Sequence, residues 1–425
     1  MKVVESMAVL FNNSPASAIR DWHRLGCEGL RGRHKTMKYW LLVLALSAAN
    51  SAAQTSPIAP PGNAGRNRAE ALTFVAHQLE VMSAGPASKY PEFTTGGRWQ
   101  CTDGSAWTAG YFAGMLWFMY GHTKDPVWRE RARRWTEPIG AFREKAENLG
   151  VMFMPSFTAG YRLTGDDSYR QRSLEAAESL ARRYLPEGKY IRYEAPGFLI
   201  IDDMIDLSLL YWAAQQTGQQ RYAEIATNHT LATLNATVKA DGRSLQAVEL
   251  DPKTGKKIAD RPRQGITATS CWSRGQAWAI YSLAEIYGYT RDERFRRTAE
   301  EMADWWIDRV PPDYVPYWDF DLPQIAGEPR DSSAAALTAG GLWELAKVAK
   351  EKNRADRYRA VAVATLDSLT KHYLAAGDPH EDPRILIHAT LSKPEHRGID
   401  ESLITGDYYY LELLLKVMNA PPAPR

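Results

Sequence analysis

Cysteine is scarce in this sequence, and neither sign of charge is in excess. Three cysteines in 425 residues, Cys27, Cys101 and Cys271, form no disulfide framework, and the nine histidines are scattered singly. Cys/His spacing of the metal-binding kind is absent, so no structural metal is expected. Lys and Arg number 52 against 50 Asp and Glu, a net charge of +2. A nucleic-acid partner would need a basic face that this balance does not supply. No apolar run reaches the ~20 residues of a membrane span, so no membrane role is expected beyond an export signal.

Aromatic residues, in contrast, are abundant: 14 Trp, 21 Tyr and 11 Phe, spread along the chain. Such a surplus with little net charge suits a large buried core, a cleft that stacks on flat apolar ligand faces, or both. From Met37 a short charged start leads into Leu-Leu-Val-Leu-Ala-Leu and then small residues around Ser51 and Ala53. This layout predicts a secretory signal peptide over 37–53, with residues 1–36 an extension that is not native and Met37 the true start. Export places the protein in the periplasm or outside the cell. Residues 54–66, rich in Pro, Ala and Gly, read as a linker, and 67–425 as one domain.

A punctuation recurs through that domain: an apolar segment, a small polar turn, then an aromatic residue opening a charged amphipathic segment. The copies run from Gly121 to Trp128, Thr164 to Tyr169, Thr217 to Tyr222, Tyr289 to Phe295 and Asn353 to Tyr358. Gly or Asn is expected to supply a left-handed C-cap, and the following Asp or Ser to cap the next helix. Segments before the turns are apolar nearly all round, as in residues 110–120 and 206–214, and must be buried on every side. Those after the turns, such as 167–184, carry apolar positions at helical spacing with charges between them. A buried helix followed by a half-exposed one, repeated, builds an inner ring inside an outer ring. Five turns give five hairpins, and residues 67–83 and 401–419 pair as a sixth. The sequence therefore predicts an all-α fold, an (α/α)6 barrel, rather than an open solenoid of more regular repeats. Strand signals are weak and confined to 186–199, 242–266 and 313–330.

In such a ring the N-terminal ends of the inner helices gather at one mouth. The residues expected there include Trp107, Glu147, Asn148, Asp202, Asp203, Gln264, Trp272, Arg274, Trp278, Asp319, Asp331 and Asp407. Aromatic faces, an Arg and several carboxylates suit a sugar that carries a carboxylate. Plainer roles stay open for several of them. Asp331 before Ser-Ser-Ala reads equally as an N-cap, Asp407 as a structural anchor, Trp272 and Trp278 as core residues, and Arg274 as one half of an ion pair. Asp202, behind Phe-Leu-Ile-Ile and ahead of Met-Ile, is poorly solvated, and burial raises a carboxyl pKa as general-acid work requires, while a helix N-terminus pulls the other way and leaves the net sign open at this point.

Several segments carry a family resemblance. They are Trp107-Thr-Ala-Gly-Tyr-Phe-Ala-Gly-Met-Leu-Trp117, Asn148-Leu-Gly-Val-Met-Phe, Gly160-Tyr-Arg-Leu-Thr-Gly165, Ile200-Ile-Asp202, Trp272-Ser-Arg-Gly-Gln-Ala-Trp278, Tyr317-Trp-Asp-Phe320, Arg330-Asp-Ser-Ser-Ala334 and Gly406-Asp-Tyr-Tyr-Tyr-Leu-Glu412. In this order, over about 66–419, the chain resembles the unsaturated glucuronyl hydrolases of glycoside hydrolase family 88, whose fold is the (α/α)6 barrel. The resemblance implies removal of a 4,5-unsaturated uronic acid from the non-reducing end of oligosaccharides left by polysaccharide lyases. It implies Asp202 as the acid, and then the base towards water, in hydration of the vinyl ether. It further implies Trp107, Gln264, Trp272, Arg274 and Trp278 as the uronate pocket, with no cofactor.

Two positions depart from the family pattern. Glu147-Asn148 stands where the family has His-Asp, its second site aspartate, and Gln246 stands in place of a family His. Asn148 still hydrogen-bonds a sugar hydroxyl or water but carries no charge. Three readings follow: Glu147 or Asp203 replaces the carboxylate, the enzyme acts on a different uronide or glycoside, or the site binds uronate without turning it over.

Overall fold

The computed structural model describes residues 66–144, 147–193, 197–378, 380 and 382–420. The expectations for 1–36, 37–53 and 54–65 lie outside these residues. In chain order the elements open with helix α1 (Arg68–Ala84) and the strands β1 (Tyr90–Thr95) and β2 (Arg98–Thr102). Helices α2 (Ala109–Thr123), α3 (Pro126–Thr136), α4 (Leu149–Phe153), α5 (Ala159–Thr164) and α6 (Asp167–Ala181) follow. Next come β3 (Tyr184–Leu185), β4 (Tyr190–Ile191), β5 (Phe198–Ile200), a 3-10 turn (Ile201–Asp206), α7 (Leu207–Thr217) and α8 (Gln220–Thr237). The last elements are β6 (Ala247–Leu250), β7 (Lys257–Arg261), α9 (Ser273–Thr290), α10 (Glu293–Ile307), α11 (Ser332–Val348), α12 (Lys352–His372) and α13 (Ile404–Met418).

Helices α2, α4 with α5, α7, α9, α11 and α13 form the inner ring. Each packs on the next, and α13 packs back on α2 to close it. Burial explains the division: α9 buries Ser273 through Ala284 without interruption, whereas α10 buries one face around Phe295, Ala299, Met302 and Trp306. The outer partners are α3, α6, α8, α10, α12 and α1, the last supplied by the start of the domain. This is the (α/α)6 barrel that the punctuation predicts. Among the described residues no helix is long and apolar enough to cross a membrane.

The turn chemistry differs from expectation at three of the five repeated turns. Gly165 and Gly218 take the left-handed C-cap conformation, with φ of 72° at both. At the first turn Gly121 lies inside α2 and Lys124 is the left-handed residue, and Arg291 does the same after α9. After α11 no residue turns left-handed, and Asn353 sits inside α12, because that helix begins one residue earlier. Asp125, Asp166 and Asp292 do cap the following helices through their side chains.

The second inner helix is interrupted by a π turn over Met154–Thr158 that contains Pro155, which has no backbone N–H to give. Strands are few. β5, β6 and β7 make an antiparallel sheet, and β3 pairs with β4. The β1–β2 hairpin carries no signal in the sequence reading, and 313–330 contributes only isolated bridges rather than a strand. Cys101 and Cys271 are both free.

Candidate active site

At the N-terminal ends of the inner helices lies a cavity of about 180 Å³. That is below the ~300–1,000 Å³ of pockets that enclose drug-sized ligands, so it suits one terminal unit of a longer molecule. Its floor comes from the 3-10 turn that follows β5. The sheet carries the chain inward as far as Ile200, whose neighbour Ile201 donates its N–H to the Gln246 carbonyl at 2.9 Å. Asp202, Asp203 and Asp206 then fall within a single tight turn. Opposite stands Asn148 at the start of α4, brought close by Gly150. A Cβ there would sit 2.2 Å from the Asp206 Cα, so only glycine permits the approach.

The three carboxyls are held differently. Asp202 Oδ2 accepts from Gln246 Nε2 at 3.4 Å, while its Oδ1 is buried with no hydrogen-bond partner among the described residues. Burial pushes this carboxyl up to about 6, against the pull of Arg263 and Arg274 and the bond from Gln246. Asp206 Oδ1 accepts the Val151 N–H at 2.7 Å, and burial pushes the group up to about 7. Asp203 Oδ1 accepts from Asn148 Nδ2 at 3.2 Å. Burial, then the charges of Asp206 and Asp202, drive Asp203 well above the usual carboxylate range.

Gln246 organises one wall. Its Nε2 donates to Gln264 Oε1 at 2.7 Å as well as to Asp202, and its Oε1 accepts the Gln264 N–H at 2.8 Å. Gln264 Nε2 in turn donates to the Leu391 carbonyl at 2.7 Å. Trp107 and Trp278 supply the aromatic walls, each steadied by an edge-on tyrosine, Tyr111 at 6.0 Å and Tyr409 at 5.7 Å. Five of the seven residues expected to bind or react therefore line one cavity: Asp202, Asn148, Trp107, Gln264 and Trp278.

Trp272 and Arg274 do not line it. Arg274 is 3% exposed, ion-paired with Asp331 at 2.5 Å, and donates to the Thr390 and Leu391 carbonyls at 2.7 and 2.5 Å. Its guanidinium lies 4.5 Å above the Trp272 ring, which is itself core. A guanidinium with these donors committed has little left for a ligand carboxylate, so Arg274 supports the wall by holding Leu391. Asp331 caps α11, accepting the Ser333 and Ala334 N–H groups. Asp319 binds the Ile266 N–H at 2.9 Å and the Ser270 hydroxyl at 2.7 Å, and Asp407 takes the Leu386 N–H at 2.8 Å.

Residues the sequence reading missed complete the lining: Glu92 from β1, Arg263 after β7, and Leu391, Glu395 and Arg397 from the loop before α13. Arg397 faces Glu92 at 3.7 Å and lies 5.2 Å above the Phe93 ring. No local pattern marks these positions. Glu147 also lines the cavity, but from an exposed position at its rim. Among the described residues no group of three or more His, Cys, Asp or Glu side chains is arranged to hold a metal ion. The arrangement is that of a buried carboxyl with a raised proton affinity at the bottom of a pocket walled by Trp107 and Trp278 and lined by both acids and arginines.

Comparison with known proteins agrees with this geometry. The family model for Glycosyl Hydrolase Family 88 matches residues 77–410. The unsaturated glucuronyl hydrolase of Bacillus sp. (strain GL1) is 34% identical over 365 residues, 82% of this chain and 95% of that protein. The unsaturated chondroitin disaccharide hydrolase of Streptococcus agalactiae serotype III (strain NEM316) is 32% identical over 367 residues, 82% of this chain and 90% of its own length. The crystal structure of the Bacillus sp. GL1 enzyme superposes with a TM-score of 0.80 at 31% identity, covering 83% of this chain and 97% of that one. A barrel of six helical hairpins with an acid at its mouth, matched along most of its length by such relatives, places this chain in glycoside hydrolase family 88.

Proposed function

We propose that this enzyme removes a 4,5-unsaturated uronic acid from the non-reducing end of an oligosaccharide by hydrating its vinyl ether. The observation that carries the reading is Asp202, a buried carboxyl at the cavity floor that holds its proton up to about pH 6. Asp202 gives that proton to C4 of the C4=C5 bond, and water adds at C5 with its own proton returning to the carboxylate. The hemiketal so formed opens and expels the remaining glycan as an alcohol. Trp107 and Trp278 face the apolar side of the ring. Arg263 and Arg397 provide positive charge at the lining for the uronate carboxylate. The relatives support the substrate class. One structure from Streptococcus agalactiae, with a TM-score of 0.72 and 29% identity, is complexed with dGlcA-GalNAc6S.

The test follows the ultraviolet absorbance of the conjugated double bond in a panel of lyase-generated disaccharides. Wild-type protein is expected to bleach it and Asp202→Asn to leave it unchanged; bleaching by both proteins would remove Asp202 from the reaction. The pattern over 37–53 supports export to the periplasm or beyond. Protein recovered from its host is then expected to begin near Gln54, and residues 1–36 still attached would overturn export.

A further inference from the structure

Asp203 takes no part in the reaction just described, yet its surroundings are those of a ligand group. It is 2% exposed and lines the cavity. Its carbonyl oxygen accepts from the Tyr193 hydroxyl at 3.4 Å, and Oδ1 accepts from Asn148 Nδ2 at 3.2 Å. Among the described residues no hydrogen bond reaches Oδ2, and that oxygen is not among the atoms sealed away from the cavity. An oxygen left open at a sugar-sized cavity is suited to a hydroxyl donor. Glu147, the other acid beside Asn148, is exposed at the rim.

We propose that Asp203 is the second sugar-binding carboxyl of the cavity, positioned by Asn148, and that its Oδ2 accepts a hydrogen bond from a ring hydroxyl of the bound uronate. This inference rests on the uronide reading for the identity of the sugar. Asn148 and Asp203 form an amide–carboxylate pair across one hydrogen bond. Exchanging the two side chains preserves the bond and moves the carboxyl by only that distance.

Equilibrium binding of an unsaturated disaccharide, read by tryptophan fluorescence in an Asp202→Asn background, tests the contact without turnover. Adding Asp203→Asn is expected to weaken binding about 3- to 10-fold, in line with the loss of one well-placed hydrogen bond. The exchange Asn148→Asp with Asp203→Asn is expected to recover most of that loss. With Asp202 intact, Asp203→Asn is expected to raise KM more than it lowers kcat. A merely structural role would lower the melting temperature and leave binding by folded protein unchanged, which would overturn the proposal. Should Asp203→Asn fail to fold, Asn148→Ala reads the same contact from the other side, with severalfold weaker binding expected and unchanged binding fatal. Wild-type protein that never bleaches the double bond, yet binds in an Asp203-dependent way, removes the hydrolase reading and keeps this one. Turnover that is indifferent to Asp203→Asn does the reverse, and a parent that binds no unsaturated uronide overturns both.

Discussion

The two mouths of the barrel hold several of their acids differently. At the N-terminal ends of the inner helices, Asp202, Asp206 and Asp407 each keep one buried oxygen without a hydrogen-bond partner among the described residues. At the C-terminal ends, Glu344 is paired with Lys347 at 2.7 Å and Lys416 at 2.9 Å, and Glu412 with Lys416 at 3.2 Å and the Tyr281 hydroxyl at 3.1 Å. Helix dipoles favour this division, since cations are stabilised near helix C-termini and anions near N-termini. Burial lowers the affinity of Lys416 for its proton, but Glu412 and Glu344 more than offset that and hold it charged. The N-terminal mouth keeps more carboxyl oxygens dry, although it also holds the buried Arg274–Asp331 pair, and at the other mouth burial still pushes Glu285 up to about 7.

The largest expected break in this comparison is Asp202→Asn, which removes the only proton donor assigned here and should lower kcat about 10²- to 10⁴-fold. Arg274→Ala comes next. It strands Asp331 in a fully buried site and should cost about 3–5 kcal/mol of stability, measured by denaturant unfolding. Activity of the fraction that stays folded should fall too, because Leu391 loses its tether. Lys416→Met, at the far mouth, should cost about 1–3 kcal/mol while leaving kcat/KM of folded protein unchanged. A catalytic defect there would show that the mouths are coupled.

The smallest effect is on pH dependence. Asp202 titrates at about 6 against an ordinary 3.8. The folded state therefore binds more protons than the unfolded chain between these values, and this group's contribution to stability falls as pH rises from about 4 to about 6. Asp202→Asn should accordingly raise the melting temperature at pH 7, by the equivalent of about 1–3 kcal/mol, and leave it nearly unchanged at pH 4. In the wild type, kcat/KM should decline above about pH 6 as the acid form is lost. A flat profile to pH 8 would assign the proton to another group.

The ring was legible in the sequence because each hairpin announces itself locally, through an apolar segment, a short polar turn and an aromatic opening. Asp202 was legible for the same reason, a carboxyl set in a run of large apolar residues. What escaped were relations across space. Arg274 and Asp331 are 57 residues apart, and nothing near either one says that they neutralise each other in the core. Glu92 and Arg397 reach the cavity from a hairpin and a loop joined through Glu401, which accepts from the Thr94 hydroxyl and from the Gly97 N–H at 3.3 Å. Lys124 and Arg291 occupy left-handed positions where the reading looked for glycine, because a C-cap needs the conformation and tolerates the strain at one residue.

The sixth hairpin pairs α1, the first helix of the domain, with α13, the last. During synthesis α1 therefore waits through the making of every other hairpin before its partner exists. Until α13 has emerged, the apolar faces of α2 and α11 that it will cover remain open to water and to other chains. Closure of the ring thus waits on α13, the last helix of the domain.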